Sequence, residues 1–306
     1  LEESPSNHDK VEFEIIYSCY TLDLPEQLLE LKKIGFKEDE CNVILESLRH
    51  LTNNIIHSDE GLWKKDICKI DKLKSRQKKI HESQLNETEK IYWLIEDCKR
   101  YGTLPFAGLA RAGFIAVQLL QSMVRVGILT NDDYENYMAS LDTVSSDMQE
   151  DLKGEKGNFL TKYGHLRPGT YDILSPRYDE VPDIYFNWDD IKIKPKKAKM
   201  KQFSLSLKSM NEIEKLLKKH KIEHSVLSLF DFIKGAIEGR EYAKFIFTKS
   251  LSDALSLMTK LGNNYDISED DISYAEIDTI KKLYSSSYDI EETLISSIAS
   301  GKERYS

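Results

Sequence analysis

The segment 161–178, TKYGHLRPGTYDILSPRY, concentrates side chains that can bind an anion. It contains His165, Arg167, Tyr171 and Arg177 among turn-forming Gly and Pro residues. A guanidinium group presents a planar fork of donors to a carboxylate or phosphate, and a His can donate to an anion or move a proton near neutral pH. The pattern therefore predicts a rigid cradle for an anionic group. The alternative is a structural loop whose Arg residues pair with the excess of acidic side chains.

Two helical segments offer further cations. In FAGLARAGFIA, Arg111 lies among small and apolar residues, where a buried guanidinium normally has a partner or a ligand. In GREYAKFIFTKSLSDAL, Arg240 and Lys244 share one helix face, which suits an anion better than it suits two cations alone. The alternatives are an Arg111 that extends from the helix edge to water and a basic face that is simply solvated.

Motifs of several other chemistries are absent from the sequence. It contains no GxxxxGK[ST] loop, no GxGxxG after a strand, no HExxH and no GxSxG. His220 and His224 could share a helix face, but no third ligand lies near them in sequence, so we expect solvated His residues and no metal site. The four Cys occur singly, without a CxxC pair, which is typical of a reduced, cytoplasmic protein.

Composition limits the class of protein. The chain has 306 residues, 40% hydrophobic and 31% charged, with a net charge of −9. This excludes collagen-like and wholly disordered chains, and it argues against a general nucleic-acid binder, which needs a basic surface. The most apolar stretch, 106–129, carries Arg111 and Arg125 and is interpreted as a buried helix, with no role for a membrane. The start lacks a signal core and an initiator Met, so we expect a piece of a longer protein.

Apolar periodicity and capping residues predict a mainly α fold, a multi-helix domain with at most a small strand element at the alternating residues 11–15. A helix that starts at Asn131 is expected to continue to about Leu152. The stretch 154–190 holds many turn formers and aromatics, which predicts a long, ordered, irregular loop. We expect three parts: a helical core at 1–190, a basic linker or loop at 191–209, and a helical C-terminal part of the same domain at 210–306.

The same segments carry a family resemblance. YGHLRPGTYDILSPRYDE, FAGLARAGFIA and GREYAKFIFTKSLSDAL together resemble the central region of the phosphoenolpyruvate-synthase-like phosphotransferases. That family includes the rifampicin phosphotransferases and relatives from bacterial capsule polysaccharide clusters, such as a glutamine kinase. The opening YSCYTLDLPEQLLELKKIGF is similar to the start of that region. The resemblance covers nearly the whole chain, and the YGHLRPG segment is its most specific part.

The resemblance implies a role within a larger kinase. In the family, an ATP-grasp domain binds ATP with Mg, a swivelling domain carries a phosphohistidine, and a helical domain binds the acceptor. This chain is similar to the acceptor domain alone, so neither a cofactor nor a catalytic residue is expected in it. His165 lies in the acceptor-domain motif and is not expected to carry the phosphoryl group. The expected partners are a small polar acceptor and the ATP-grasp and phosphohistidine domains.

Acceptor binding for phosphoryl transfer requires cations around one pocket, because the reaction depends on positioning and on stabilising spread negative charge. Six residues are the candidates for substrate binding: Arg111, His165, Arg167, Tyr171, Arg177 and Lys244. The main alternative is a non-catalytic helical scaffold that positions the two mobile domains. A free-standing anion-binding module is a third interpretation.

Overall fold

The computed structural model describes residues 17–188, 203–285 and 288–305. The fold is mainly α, as the sequence predicts, and none of these residues lies in a strand. The strand expected at 11–15 and most of the basic linker expected at 191–209 lie outside the described residues. The expected division into 1–190 and 210–306 stays a prediction.

The described residues form fourteen α-helices and one π-helix. They are α1 Leu24–Lys33, α2 Glu38–Ile56, α3 Leu62–Glu82, α4 Glu87–Asp97, a π-helix Cys98–Thr103, α5 Leu104–Arg125, α6 Asn131–Ala139, α7 Val144–Asp151, α8 Lys156–Tyr163, α9 Pro182–Tyr185, α10 Leu207–His220, α11 Val226–Asn263, α12 Glu269–Ile272, α13 Ile277–Ser285 and α14 Ile290–Tyr305.

Polar caps begin several of these helices. The Asn86 side chain accepts a hydrogen bond from the amide of Glu89, and the Glu89 carboxylate accepts one from the amide of Asn86. Ser268 caps the short acidic helix α12 by accepting a hydrogen bond from the amide of Asp271. Such caps satisfy amides that have no partner within the helix.

One expectation about helix length is wrong, and the expected long irregular stretch is confirmed, although a helix occupies its first part. The helix expected from Asn131 to Leu152 is two helices, α6 and α7, because Thr143 caps a new start by accepting from the amide of Ser146. The stretch 154–190 is only partly irregular. Its first part forms α8, whose Phe159 and Tyr163 lie one turn apart on a buried face, and the irregular part is 164–181.

The described chain divides into two compact units, each built from separate stretches of sequence. The first comprises 17–66, 107–142 and 203–240. Its core is apolar and centres on α5 and α11, with Ile115, Leu119 and Phe232 almost fully buried. Small residues on α5 allow close approach, since a Cβ at Gly113 would lie 3.2 Å from the Arg240 side chain.

The second unit comprises 67–106, 143–188, 241–285 and 288–305. Its apolar core is formed by side chains from α4, the later part of α11 and the C-terminal helices, including Leu94, Met258 and Leu294. The irregular segment 164–181 belongs to this unit and contributes Ile173 to the core. This packing fixes the segment that the sequence singles out for anion binding.

One helical stretch, Glu87–Arg125, contains a window that is long and apolar enough to cross a membrane. Its mean hydropathy is 1.4, and 44% of the window is buried inside the protein. Buried core helices pass the same test, so the stretch is weak evidence for a membrane span. Within the first unit, Leu119 and Met123 of this stretch belong to the apolar core.

Candidate functional site

The two ends of the segment 164–181 are joined by backbone hydrogen bonds. The amide of Tyr178 donates to the carbonyl of Leu166 at 2.9 Å, and the amide of Asp179 donates to the carbonyl of Gly164 at 3.1 Å. A Cβ at Gly164 would lie 2.7 Å from the Cβ of Asp179, so only Gly permits this closure. Nearer the tip of the segment, the amide of Gly169 donates a hydrogen bond to the Ser175 hydroxyl at 3.0 Å.

Arg167 holds this segment against α11. Its Nε donates to the Ser252 hydroxyl at 3.2 Å, and its Nη2 donates to the Ser256 hydroxyl at 3.1 Å. Its Nη1 donates to the carbonyls of Asp172 and Ile173, both at 3.3 Å. The residue is only 7% exposed. All its nitrogens therefore have internal acceptors, and the fork closes the loop onto the helix.

Arg177 is engaged by carboxylates. Its Nε and Nη2 donate to the two oxygens of Asp179, and its Nη1 donates to Asp253 Oδ1 at 2.9 Å. Burial opposes the charge of Arg177, yet the hydrogen bonds and charges of Asp179 and Asp253 raise its pKa. A bidentate pair of this kind fixes both position and orientation of the guanidinium.

Asp253 on α11 is in contact with three basic side chains. Besides Arg177, it contacts His81 Nε2 at 2.9 Å and Lys249 Nζ at 3.4 Å. Burial would raise the pKa of this carboxyl, but the hydrogen bond with His81 and the charges of Lys249 and Arg177 outweigh it and lower the pKa to about 2. Asp253 is thus ionised at neutral pH. The Asp253 cluster, defined as His81, Arg177, Lys249 and Asp253, has an exposed edge because His81 and Lys249 are about two-fifths exposed.

His165 lies in the same segment but is buried, with its ring 4.8 Å from that of Phe245. Burial lowers its pKa to about 4, and the positive charge of Lys249 acts in the same direction. The imidazole is therefore neutral at pH 7. Its Nε2 atom is buried and makes no hydrogen bond with the described residues. Because His165 is only 4% exposed, its ring is poorly placed to carry a phosphoryl group from one site to another.

The remaining candidates differ in environment. Tyr171 is 71% exposed at the tip of the segment, and Lys244 is exposed on α11. Arg111 is exposed on α5 and belongs to the first unit, whereas the other five candidates belong to the second. The structure thus brings Arg177 and His165 near the charged groups of the Asp253 cluster, and it directs Arg167 to hydroxyls and carbonyls.

Three residues of the cluster were not singled out from the sequence. Lys249 and Asp253 lie within GREYAKFIFTKSLSDAL at a spacing of one helical turn, which is a weak signal for a same-face pair. His81 lies in a Lys-rich helix and has no local motif. Among the described residues, no group of three or more His, Cys, Asp or Glu side chains is arranged to hold a metal ion.

Comparisons with known proteins identify no relative of this chain. No protein-family model matches it, and neither a curated protein nor a solved structure matches it. The phosphotransferase family therefore stays an interpretation of the motifs, and the function is proposed from those motifs together with the geometry of the Asp253 cluster.

Proposed function

We propose that this chain is the acceptor-binding part of an ATP-dependent phosphotransferase that acts through a phosphohistidine borne on another domain. The observation that carries the proposal is the Asp253 cluster, in which the segment with the most specific family resemblance meets the Lys249 ammonium of α11 and the His81 imidazole of α3. The acceptor is a small polar molecule. ATP and Mg belong to the ATP-grasp domain of the complete enzyme.

The charges in the cluster suit a group that gains negative charge. Lys249 and His81 contact Asp253 Oδ2 and remain partly open to water, whereas Arg177 contacts Asp253 Oδ1 and is only 14% exposed. An incoming phosphoryl oxygen can therefore meet Lys249 and His81 without displacing the buried Arg177. Cations that are held in place before the ligand arrives stabilise developing charge without reorganisation.

A first experiment tests whether the phosphoryl carrier lies outside this chain. Incubation of this chain with labelled ATP and Mg should give no stable label on any residue, because the sequence holds no nucleotide-binding motif and His165 is buried. Stable label on His165 would contradict the assignment of the chain to the acceptor side.

A second experiment tests acceptor binding in the complete enzyme, with ATP and acceptor varied separately. L-glutamine is the first acceptor to use, because the resemblance includes a glutamine kinase. Lys249→Gln should raise the acceptor KM or lower kcat and leave phosphoenzyme formation unchanged. Loss of one charge-assisted contact corresponds to roughly tenfold or more in kcat/KM. Lys260→Gln is the matched control, since Lys260 lies on the same helix and pairs with Glu87.

A helical scaffold that positions the mobile domains is the second candidate function. One observation favours it: every guanidinium nitrogen of Arg167 has an acceptor inside the protein. In that case Arg167→Lys and Lys249→Gln would lower thermal stability and leave both kinetic steps unchanged. If Lys249→Gln instead abolishes phosphoenzyme formation, the cluster serves the transfer from ATP and the acceptor proposal is wrong.

A further inference from the structure

A groove in the second unit lies outside the Asp253 cluster and has two kinds of wall. The cavity is about 240 Å³, and its polar side is formed by Arg76, Lys79 and Asp97 from the end of α3 and the end of α4. Its openness to water leaves both cations accessible to a ligand, since Lys79 is exposed and Arg76 is about one-third exposed. A site of this size holds a single ring with one charged substituent.

Arg76 is held in place from two directions. Its Nε donates to Asp97 Oδ2 at 2.6 Å, and Asp97 is only 2% exposed. The Arg76 guanidinium carbon lies 5.4 Å from the centre of the Tyr101 ring, which also receives Lys72 at 4.6 Å. Neither terminal nitrogen of Arg76 makes a hydrogen bond to a described residue. A fork fixed through its Nε, with both Nη groups open, is arranged for bidentate binding of a carboxylate or phosphate.

The charge balance of the groove favours an anion. Arg76 and Lys79 contribute two positive charges against the single carboxylate of Asp97, which the Arg76 Nε already uses. The Lys79 ammonium makes no ion pair with a described residue, in contrast to Lys78 on the preceding position, which lies 3.8 Å from Glu82. The ion pair with Asp97 raises the pKa of Arg76, chiefly through its hydrogen bond.

The rest of the groove lining is largely apolar. Ile80, Leu85 and Trp93 form it, and Trp93 is kept at a fixed angle by edge-to-face contacts with Tyr92 and Tyr284. An indole beside two aliphatic side chains provides a flat apolar surface for a ring. The only hydroxyl in the lining, that of Ser83, donates to the carbonyl of Ile80 at 2.6 Å. Its remaining capacity is to accept a hydrogen bond from a ligand.

A local irregularity of the backbone adjoins the polar wall. The π-helix Cys98–Thr103 begins directly after Asp97 and places Tyr101 beside Arg76. π-helical turns are rare and occur often at functional sites. Here the turn supplies the aromatic face that, with Asp97, immobilises Arg76.

We propose that this groove binds a small organic anion, with its phosphate or carboxylate on Arg76 and Lys79 and its ring against Trp93. The proposal is independent of the phosphotransferase proposal, because the two sites share no lining residue. A ligand needs both groups to use the whole groove. An anion without a ring would contact only the polar residues, and a neutral ring would leave the Arg76 terminal nitrogens without an acceptor.

The test uses phenyl phosphate and phenylacetate as probes, with inorganic phosphate and benzyl alcohol as the halves of the ligand. Binding is followed by NMR through the indole N–H resonances of Trp63, Trp93 and Trp188, each assigned by a Trp→Phe variant. At least one ring-bearing anion should shift the Trp93 resonance selectively. Comparison of the two identifies the preferred acid. Inorganic phosphate and benzyl alcohol should each bind at least about tenfold more weakly.

Variants at exposed positions distinguish binding in the groove from non-specific attraction of anions by the positive charge of α3. Lys79→Gln should weaken binding of the preferred probe by about tenfold, as expected for loss of a charge-assisted hydrogen bond. Lys74→Gln, on the same helix but outside the groove lining, should leave the affinity unchanged. Equal losses in the two variants would mean that the helix attracts anions non-specifically, and the proposal would be wrong.

Two further outcomes would also overturn it. If inorganic phosphate binds as tightly as phenyl phosphate, the apolar wall takes no part. If a long polyphosphate binds while neither ring-bearing probe moves the Trp93 resonance, the surface recognises a polyanion. Leu85→Ser tests the apolar wall directly and should weaken ring-bearing probes without affecting inorganic phosphate.

Discussion

Asp253→Asn is the substitution that most directly tests how the candidate site is held together. The carboxylate accepts from Arg177 Nη1 and His81 Nε2 and faces the Lys249 ammonium, and it is buried. An Asn of the same shape can accept from Arg177 through its oxygen, but its amide group then faces a donor. The variant therefore removes the charge and leaves one contact unsatisfied.

The magnitude follows from the pKa of the carboxyl. Hydrogen bonding to His81 and the charges of Lys249 and Arg177 overcome burial and lower the pKa of Asp253 from 3.8 to about 2. At 1.36 kcal/mol per unit, this corresponds to about 2 kcal/mol of stability at neutral pH. Because the folded pKa is below the unfolded one, the contribution is complete above pH ~4 and is lost as pH falls towards ~2.

Urea unfolding followed by far-UV circular dichroism at pH 7, 4 and 3 measures the effect. Asp253→Asn should lower the free energy of unfolding by about 2 kcal/mol at pH 7, and the difference from the wild type should shrink towards pH 3. Asp278→Asn is the control, since this exposed carboxylate pairs with the exposed Lys281 and should change little. A variant as stable as the wild type at pH 7 would refute the role of Asp253 as the charged centre.

Three other substitutions test separate parts of the structure. His165→Phe should reduce the loss of stability at acid pH. Burial lowers the pKa of His165 to about 4, so the wild type loses about 3 kcal/mol of unfolding free energy as pH falls from 6.5 to 4. Unfolding curves at pH 7 and 4.5 measure the difference between the two proteins. Gly102→Ala should destabilise by about 1–3 kcal/mol, since a Cβ there would lie 2.7 Å from the Phe247 Cβ, and thermal melts measure it. Tyr20→Phe should cost about 1–2 kcal/mol in urea unfolding by leaving the buried His220 Nδ1 without its 2.7 Å partner.

Local signals predicted the helices well. Apolar periodicity and capping residues predicted the mainly α fold, because both signals depend only on residues close together in sequence. The break between α6 and α7 was missed although Thr143 offers a cap, since continuous helical periodicity outweighed one polar residue. α8 was missed because Gly157 within it suggested a loop.

The candidate site was harder to predict because its partners are distant in sequence. The loop motif indicated two guanidinium groups, but their direction depends on Ser252 and Asp253, which α11 brings to the same place. Whether an Arg binds a ligand or closes a loop depends on these distant acceptors and leaves no mark in the local sequence. The same holds for the Arg76 groove, where the acceptor Asp97 lies on the next helix.

The two Arg sites of the second unit show how internal acceptors decide which cations remain open to a ligand. Arg167 donates its hydrogen bonds to α11 and to its own loop, and Arg177 donates to neighbouring carboxylates. Their main effect is therefore to hold the loop in place beside the exposed edge formed by Lys249 and His81. Arg76 keeps two terminal nitrogens available because Asp97 binds only its Nε. A ligand at the Asp253 cluster must compete with a buried carboxylate for Lys249, whereas at the Arg76 groove the buried carboxylate of Asp97 binds the Arg76 Nε and leaves both terminal nitrogens open. Anion affinity in the absence of other domains should therefore be higher at the groove than at the cluster.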